Sequence, residues 1–348
     1  PEAELLAVMR HVRFAAMAAG FLRETVRVWP ALGSAEAKDM LFDAMVPAVD
    51  GMKVVPRSGF GPRLIYVVGG HNGMGGKLST VELYDPQNAS WTQQAAMVGP
   101  RSSHGCVALE GKLYAVGGIG AGSQKLDTAE VYDPQTDGWQ PLAKMGTARG
   151  ALGLAAVGGK IYAIGGYGGN AVLESVEAYD PQLGAWALVA SMSVARKRHA
   201  SVVLDGKIYT MGGYKVDHVK LDTAEVYDPL ADSWQQVASM PQGLYAHAAA
   251  ATGGKIYVTG GCNEGDSVNS VFVYDPQADA WTQLASMGVA RHGHASAAVG
   301  GKLYVFGGLG EEEAPPLSTV EVYDPASDSW AQGPSLTSAR RNYVAVAL

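Results

Sequence analysis

From about residue 64 to the C-terminus, short apolar stretches alternate with turn residues in a fixed rhythm. One stretch, Leu113-Tyr114-Ala115-Val116-Gly117-Gly118, has close copies ending in Gly69-Gly70, Gly165-Gly166, Gly212-Gly213, Gly260-Gly261 and Gly307-Gly308. The steps between copies are 48, 48, 47, 48 and 47 residues. A Tyr-Asp-Pro triplet follows each one (Tyr84, Tyr132, Tyr179, Tyr227, Tyr274 and Tyr323), and a Trp closes each unit (Trp91, Trp139, Trp186, Trp234, Trp281 and Trp330). A period of this length with strands inside it means a propeller or a solenoid.

Each unit predicts four strands. In the second they run over His104–Leu109 (a), Lys112–Val116 (b), Thr128–Tyr132 (c) and Trp139–Ala143 (d), with turn residues between them. Strand a is built of small residues, as in Ala151–Ala156, Ala248–Ala251 and Ala295–Ala298, which suits the crowded centre of a ring. The first unit lacks strand a, and the last leaves a spare one at Tyr343–Leu348. The tail is therefore expected to complete the first blade and close the ring without an exposed edge. The expected fold is all-β: a six-bladed propeller over residues 64–348, closed by the C-terminal strand and preceded by a short α-helical segment.

That segment, residues 1–50, carries helical spacing at Leu5, Leu6, Val8, Met9 and Val12, then at Phe21, Leu22 and Val26, then at Met40, Leu41 and Met45. Residues 51–63, with Pro56, Gly59, Gly61 and Pro62, read as a linker. Three short helices bury too little surface to stand alone. The chain opens on Pro1 rather than Met, so it is expected to be a piece of a longer protein. The apolar run Phe14–Leu22 mimics a signal-peptide core but is too short to span a bilayer and passes directly into Arg23, Glu24 and Arg27.

A net charge of −7 with acidic and basic residues interspersed argues against nucleic acid as a partner. Two cysteines, Cys106 and Cys262, make no disulfide framework and fit a reducing, cytoplasmic or nuclear setting. No cofactor is called for. The triplet Asn88-Ala89-Ser90 is a glycosylation pattern of the kind that arises by chance.

Gly-Gly, then Tyr-Asp-Pro, then Trp, then Met-x-x-x-Arg, repeated over residues 64–348, resembles kelch repeats. The preceding piece, with Leu5-Leu6, Val12-Arg13-Phe14, Phe21-Leu22, Trp29-Pro30-Ala31-Leu32 and Ala37–Pro47, resembles the last helices of a BACK domain. Together they look like the C-terminal part of a BTB-BACK-kelch protein. The resemblance implies a substrate-recognition subunit of a cullin-3 ubiquitin ligase, with the cullin bound through a BTB region this chain does not contain. Actin binding is the cytoskeletal alternative in that family. Oxidase or sugar-isomerase chemistry is a third, which the sequence disfavours because no nucleophile–base pair or metal-ligand spacing breaks the repeat.

Comparison of the units separates scaffold from site. Residues present in every unit serve packing; departures need another explanation. Glu82, Glu130, Glu177, Glu225 and Glu321 are expected to pair with Arg101, Arg149, Arg196, Arg291 and Arg340, while the fifth unit has Phe272 and Leu244 in the two places. His104, His199, His247 and His294 share one repeat position, too far apart around a ring for one metal ion, and are expected to make repeated hydrogen bonds. Strand alternation puts the b–c and d–a loops on one face, and there the sequence varies most. The irregular residues are His71, Asn72, Tyr167, Tyr214, Lys215, Asn263 and Glu264 from the b–c loops, with Glu311, Glu312 and Glu313 adding acidity. The d–a loops contribute Lys197, Arg198, Tyr245, His292, Arg341 and Asn342. In kelch adaptors the residues just after Gly-Gly and just after the Arg bind degron peptides, so the resemblance implies a protein- or peptide-binding role for these positions.

Overall fold

The computed structural model describes residues 64–73, 76–216, 219–311 and 314–348. The helices and linker expected over residues 1–63 lie outside the described residues, as do Glu312 and Glu313. Six four-stranded antiparallel sheets make up the described chain, and two-residue strands form small hairpins in two of the b–c loops. In the second blade the strands are Gly105–Leu109, Lys112–Val116, Ala129–Asp133 and Gly138–Pro141, the second as expected and the others within two residues of the expected bounds. The a strands of successive blades lie against one another in a closed circuit, which puts them innermost. Small residues there are required by space. A Cβ on Gly153 would sit 2.2 Å from the Ser201 hydroxyl of the next blade, and one on Gly105 would sit 2.4 Å from Leu154.

The ring closes as the spare strand implies. Val344–Ala347 pairs with Ile65–Val68 in register Ile65↔Ala347 to Val68↔Val344. Leu64 and Leu348 add a reciprocal pair of backbone hydrogen bonds at 3.0 and 2.9 Å. Among the described residues there is no α-helix, and none is long and apolar enough to cross a membrane.

Blades are joined by buried polar clamps. Arg149, in the loop entering the third blade, donates Nη1 to the carbonyls of Gly165 (3.0 Å) and Ser175 (2.9 Å) and Nη2 to Glu177 Oε1 (2.7 Å). The free oxygen of Glu177 accepts the Gly146 amide at 2.6 Å, so one carboxylate fastens the loop to the sheet. Equivalent pairs form at Arg101–Glu130, Arg196–Glu225, Arg291–Glu321 and Arg340–Glu82. At the fifth blade Leu244 and Phe272 are both buried in one apolar cluster instead. The paired losses at that junction show that the two positions work as a unit. Gly117 and Gly118 (φ +62° and +99°) pass so close beneath that a Cβ would meet the Arg149 and Ser102 carbonyls at 2.6 and 2.8 Å.

The far face repeats with little change. Lys112–Asp133 (3.0 Å), Lys160–Asp180 (3.3 Å), Lys207–Asp228 (3.2 Å), Lys255–Asp275 (3.1 Å) and Lys302–Asp324 (3.1 Å) tie the a–b turn to the Asp-Pro turn in blades two to six. Tyr132, Tyr227, Tyr274 and Tyr323 donate to Asp137, Asp232, Asp279 and Asp328, which also accept an amide of the preceding blade. Ala89 and Gly184 take that left-handed position in the first and third blades. The indoles of blades two to six donate across the same junctions, for example Trp139 Nε1 to the Ala95 carbonyl at 2.9 Å.

The four repeat-position histidines are buried, but no side-chain hydrogen bond recurs among them. Only His294 has a side-chain partner among the described residues, Thr259 Oγ1 at 3.0 Å. Most of them fill space against the Gly-Gly of the preceding blade, as His104 and His247 do within 2.9 and 2.6 Å of where Cβ atoms on Gly69 and Gly212 would stand. Leu152 and Tyr343 take this place in the third and first blades. Packing against these glycines recurs, whereas a side-chain hydrogen bond does not.

Two stability predictions follow from these contacts. Arg149→Leu alone strands Glu177 in the interior and should cost about 3–5 kcal/mol in chemical denaturation, whereas Arg149→Leu with Glu177→Phe should stay within about 1–2 kcal/mol of wild type. Burial holds His104 near 3 and His247 near 4, against an ordinary value of 6.5. The unfolded chain therefore binds protons that the folded chain refuses. Stability should be complete above about pH 6.5 and fall as pH drops toward 4, each histidine contributing up to about 1.4 kcal/mol per pH unit. His104→Leu, which copies Leu152, should flatten that acid limb in urea midpoints measured between pH 7 and pH 5.

Candidate functional site

The d–a loops converge on the axis in a way the sequence does not announce. Two positions after each clamp residue, Ser103, Ala151, Arg198, Ala246, Gly293 and Asn342 all have φ between 50° and 57°. Their backbones form a closed circuit in which each amide donates to the carbonyl of its counterpart in the preceding blade. Ser103 donates to Asn342 (2.7 Å), Ala151 to Ser103 (2.8 Å), Arg198 to Ala151 (2.9 Å), Ala246 to Arg198 (2.8 Å), Gly293 to Ala246 (2.8 Å) and Asn342 to Gly293 (2.7 Å).

Outside this annulus lies a second tier. The residue just after the clamp position bridges the residue just after Gly-Gly of the blade it enters. The pairs are Arg341–His71, Ser102–Ile119, Gly150–Tyr167, Lys197–Tyr214, Tyr245–Cys262 and His292–Leu309. The b–c and d–a loops thus form one face on a hydrogen-bonded frame, and on that shared frame the side chains differ from blade to blade.

The candidate residues sort by tier. Arg198 and Asn342 belong to the annulus; His71, Tyr167, Lys197, Tyr214, Tyr245, His292 and Arg341 are bridge positions. Asn72, Lys215, Asn263 and Glu264 stand one or two residues farther along the b–c loops. Glu264 is engaged, with Lys220 Nζ at 2.5 Å, although its own side chain is largely exposed. Sequence comparison missed Ser103, Ala151, Ala246 and Gly293 as ring members; their shared spacing from the clamp position is the signal that would have found them.

Charge and aromatic character are unevenly spread. Over blades two to five, Lys197 Nζ lies 4.2 Å from the Tyr167 ring centroid and 4.8 Å from that of Tyr214, and Tyr214 meets Tyr245 edge-on at 5.0 Å. Burial and the neighbouring charges of Arg198 and Lys125 push the Lys197 ammonium below its ordinary range. Across the mouth, burial, with Arg198 and Arg341, holds His292 down to about 4. Its Nδ1 lies 2.7 Å from Ser267 Oγ, a Ser–His contact created by the hairpin Cys262–Asn263/Asp266–Ser267 and not visible in the repeat pattern. An imidazole held near 4 is a weak base at neutral pH. The serine is also 3.3 Å from the Leu309 carbonyl, so this contact orients the ring. Among the described residues no three His, Cys, Asp or Glu side chains gather as a metal ion would need.

Residues 44–213 and 154–342 match the family model of the KLHDC2/KLHL20/DRC7 Kelch-repeats domain. The chain belongs to this Kelch-repeat family. No curated protein matches it. A solved structure titled "Structure of YjhT" is 18% identical over 72% of this chain and 88% of that one, with a TM-score of 0.65, which shows a shared fold.

Both cysteines of this Kelch domain are buried, Cys106 in an inner strand and Cys262 at a bridge position against Tyr245. Burial pushes the Cys106 thiol up to about 12 and raises that of Cys262. A disulfide reagent at pH 8 should therefore label Cys106 only at the global unfolding rate. Native-state labelling of Cys106 within minutes would contradict the packing described.

Proposed function

We propose that the chain is a protein-interaction module that receives a peptide or protein segment on the face formed by its b–c and d–a loops. Kelch propellers generally bind protein partners, and this one fits that class. The observation that carries the reading is the contrast between faces. One repeats a Lys–Asp bridge in blades two to six. The other keeps a uniform backbone frame but changes side chains at every blade. Selection for packing alone gives no reason for that asymmetry. Aromatic and arginine side chains held on fixed backbone are what interface hot spots use.

The resemblance of residues 1–50 to BACK helices supports a finer reading, a substrate-recognition part of a cullin-3 ligase adaptor in the cytoplasm, with cullin contact made by a BTB region outside this chain. The proposed role is non-catalytic.

Arg198→Ala with Tyr214→Ala should reduce retention of proteins captured from the native cell extract by about tenfold or more while leaving the melting temperature within a few degrees. Lys160→Ala on the opposite face should leave retention unchanged. Equal capture by all three proteins would overturn the assignment of the face.

A further inference from the structure

Two ammonium groups meet around one ring on blades two to four, and the charge of Arg198 acts on one of them. Lys125 Nζ stands 4.4 Å and Lys197 Nζ 4.2 Å from the Tyr167 centroid, and Arg198 follows Lys197 in the annulus. None of the three forms an ion pair among the described residues. The repeat itself shows what is missing. Lys125 and Lys220 occupy the same hairpin position, bridging Ile119 and Tyr214 respectively, and each reaches into the b–c loop of the next blade. Lys220 finds the carboxylate of Glu264 at 2.5 Å. The hairpin that Lys125 reaches, Tyr167–Gly168/Ala171–Val172, has Gly169 where the other has Glu264, and Lys125 settles on the Gly169 carbonyl at 3.0 Å.

Like charges crowded without a counter-ion raise one another's energy, and an anionic ligand relieves it. A carboxylate would offset one charge. A phosphoryl group brings about −2 and three acceptor oxygens, which matches two ammonium groups and a guanidinium fork. The Tyr167, Tyr214 and Tyr245 rings supply flat apolar surface beside it for the residues that flank such a group. A nucleic-acid backbone is a poor fit, because Glu264, Asp266 and Glu311 stand exposed on the b–c loops of blades five and six of the same face and the chain as a whole carries −7.

We propose that Lys125 and Lys197, gathered about Tyr167, form with the adjoining Arg198 a phosphoryl-binding site, and that the protein segment received by the loop face carries a phosphorylated side chain there. The second half rests on the interaction-module reading; the first does not.

The first half is tested with phenyl phosphate titrated into the full chain at low ionic strength, with binding read by phosphorus NMR line width. Saturable binding is expected, weakened at least tenfold by Lys197→Gln with Arg198→Gln, and unchanged by Lys112→Gln on the far face. Gly169→Glu is the sharper variant. The space around that position is open, and Glu264 already adopts the required left-handed backbone (φ 52°). The new carboxylate should capture Lys125 and abolish most binding while the melting temperature is maintained. Binding that fails to saturate, or that is equal in wild type, Gly169→Glu and the double variant, overturns the site.

The second half is tested by passing a degenerate phosphoserine and phosphotyrosine peptide library, and the same library after phosphatase, over immobilised protein. Phosphate-dependent retention at least tenfold above that of Lys197→Gln with Arg198→Gln supports it. Equal retention of both libraries, or displacement by a single-stranded oligonucleotide as effective as displacement by phosphopeptide, overturns it. If phenyl phosphate binds at the site but no peptide or protein is retained through the loop face, the interaction-module reading fails and the anion site stands.

Discussion

Everything on the loop face depends on six crowded inner strands being held in register where they leave the ring. Two devices do this, and they differ in kind. The buried arginine clamps fix five of the d–a loops to the blades they enter, with an apolar pair in their place at the fifth blade, and the closed circuit of backbone hydrogen bonds fixes the six loops to one another. A left-handed residue bearing a Cβ costs about 1 kcal/mol or more, and a hydrogen bond returns about 1 kcal/mol. The circuit is therefore near break-even in energy. Its effect is geometric: it sets the diameter of the mouth and gives every blade the same platform.

On such a platform the side chains are free to vary, and the differences between blades become informative. The fifth junction, where Leu244 and Phe272 replace the ion pair, shows that the clamp is one solution to a packing problem that an apolar pair also solves. The exchange of Glu264 for Gly169 at matching hairpin positions has no such compensation, since it leaves Lys125 with a carbonyl in place of a carboxylate. The first kind of departure preserves stability; the second changes what the surface attracts. Cationic and aromatic character thereby collects over blades two to five, with exposed acids on the b–c loops of blades five and six.

Much of the architecture was legible in the sequence because repetition makes it so. The 47- and 48-residue steps, the spare terminal strand and the small residues of strand a each have a direct structural counterpart. The clamp was legible because its two halves vanish together. The annulus was not, since its members are Ser, Ala, Arg, Ala, Gly and Asn and their common property is a backbone angle. The Ser267–His292 contact was hidden in a hairpin register, and Lys125 in the geometry of a b–c loop that reaches its neighbour. The histidines were read only in part, because a polar side chain at a repeated position reads as a hydrogen-bonding group, when the contact that recurs is its packing against Gly-Gly.

The central claim, that the loop face is a prebuilt frame rather than a set of mobile loops, is tested most directly by native-state amide exchange. The amides of Ser103, Ala151, Arg198, Ala246, Gly293 and Asn342 should exchange as slowly as those of the b strands, such as Leu113 and Ile161, because opening one bond requires opening the ring. Exchange at the rate of exposed turn residues such as Gln135 would contradict it.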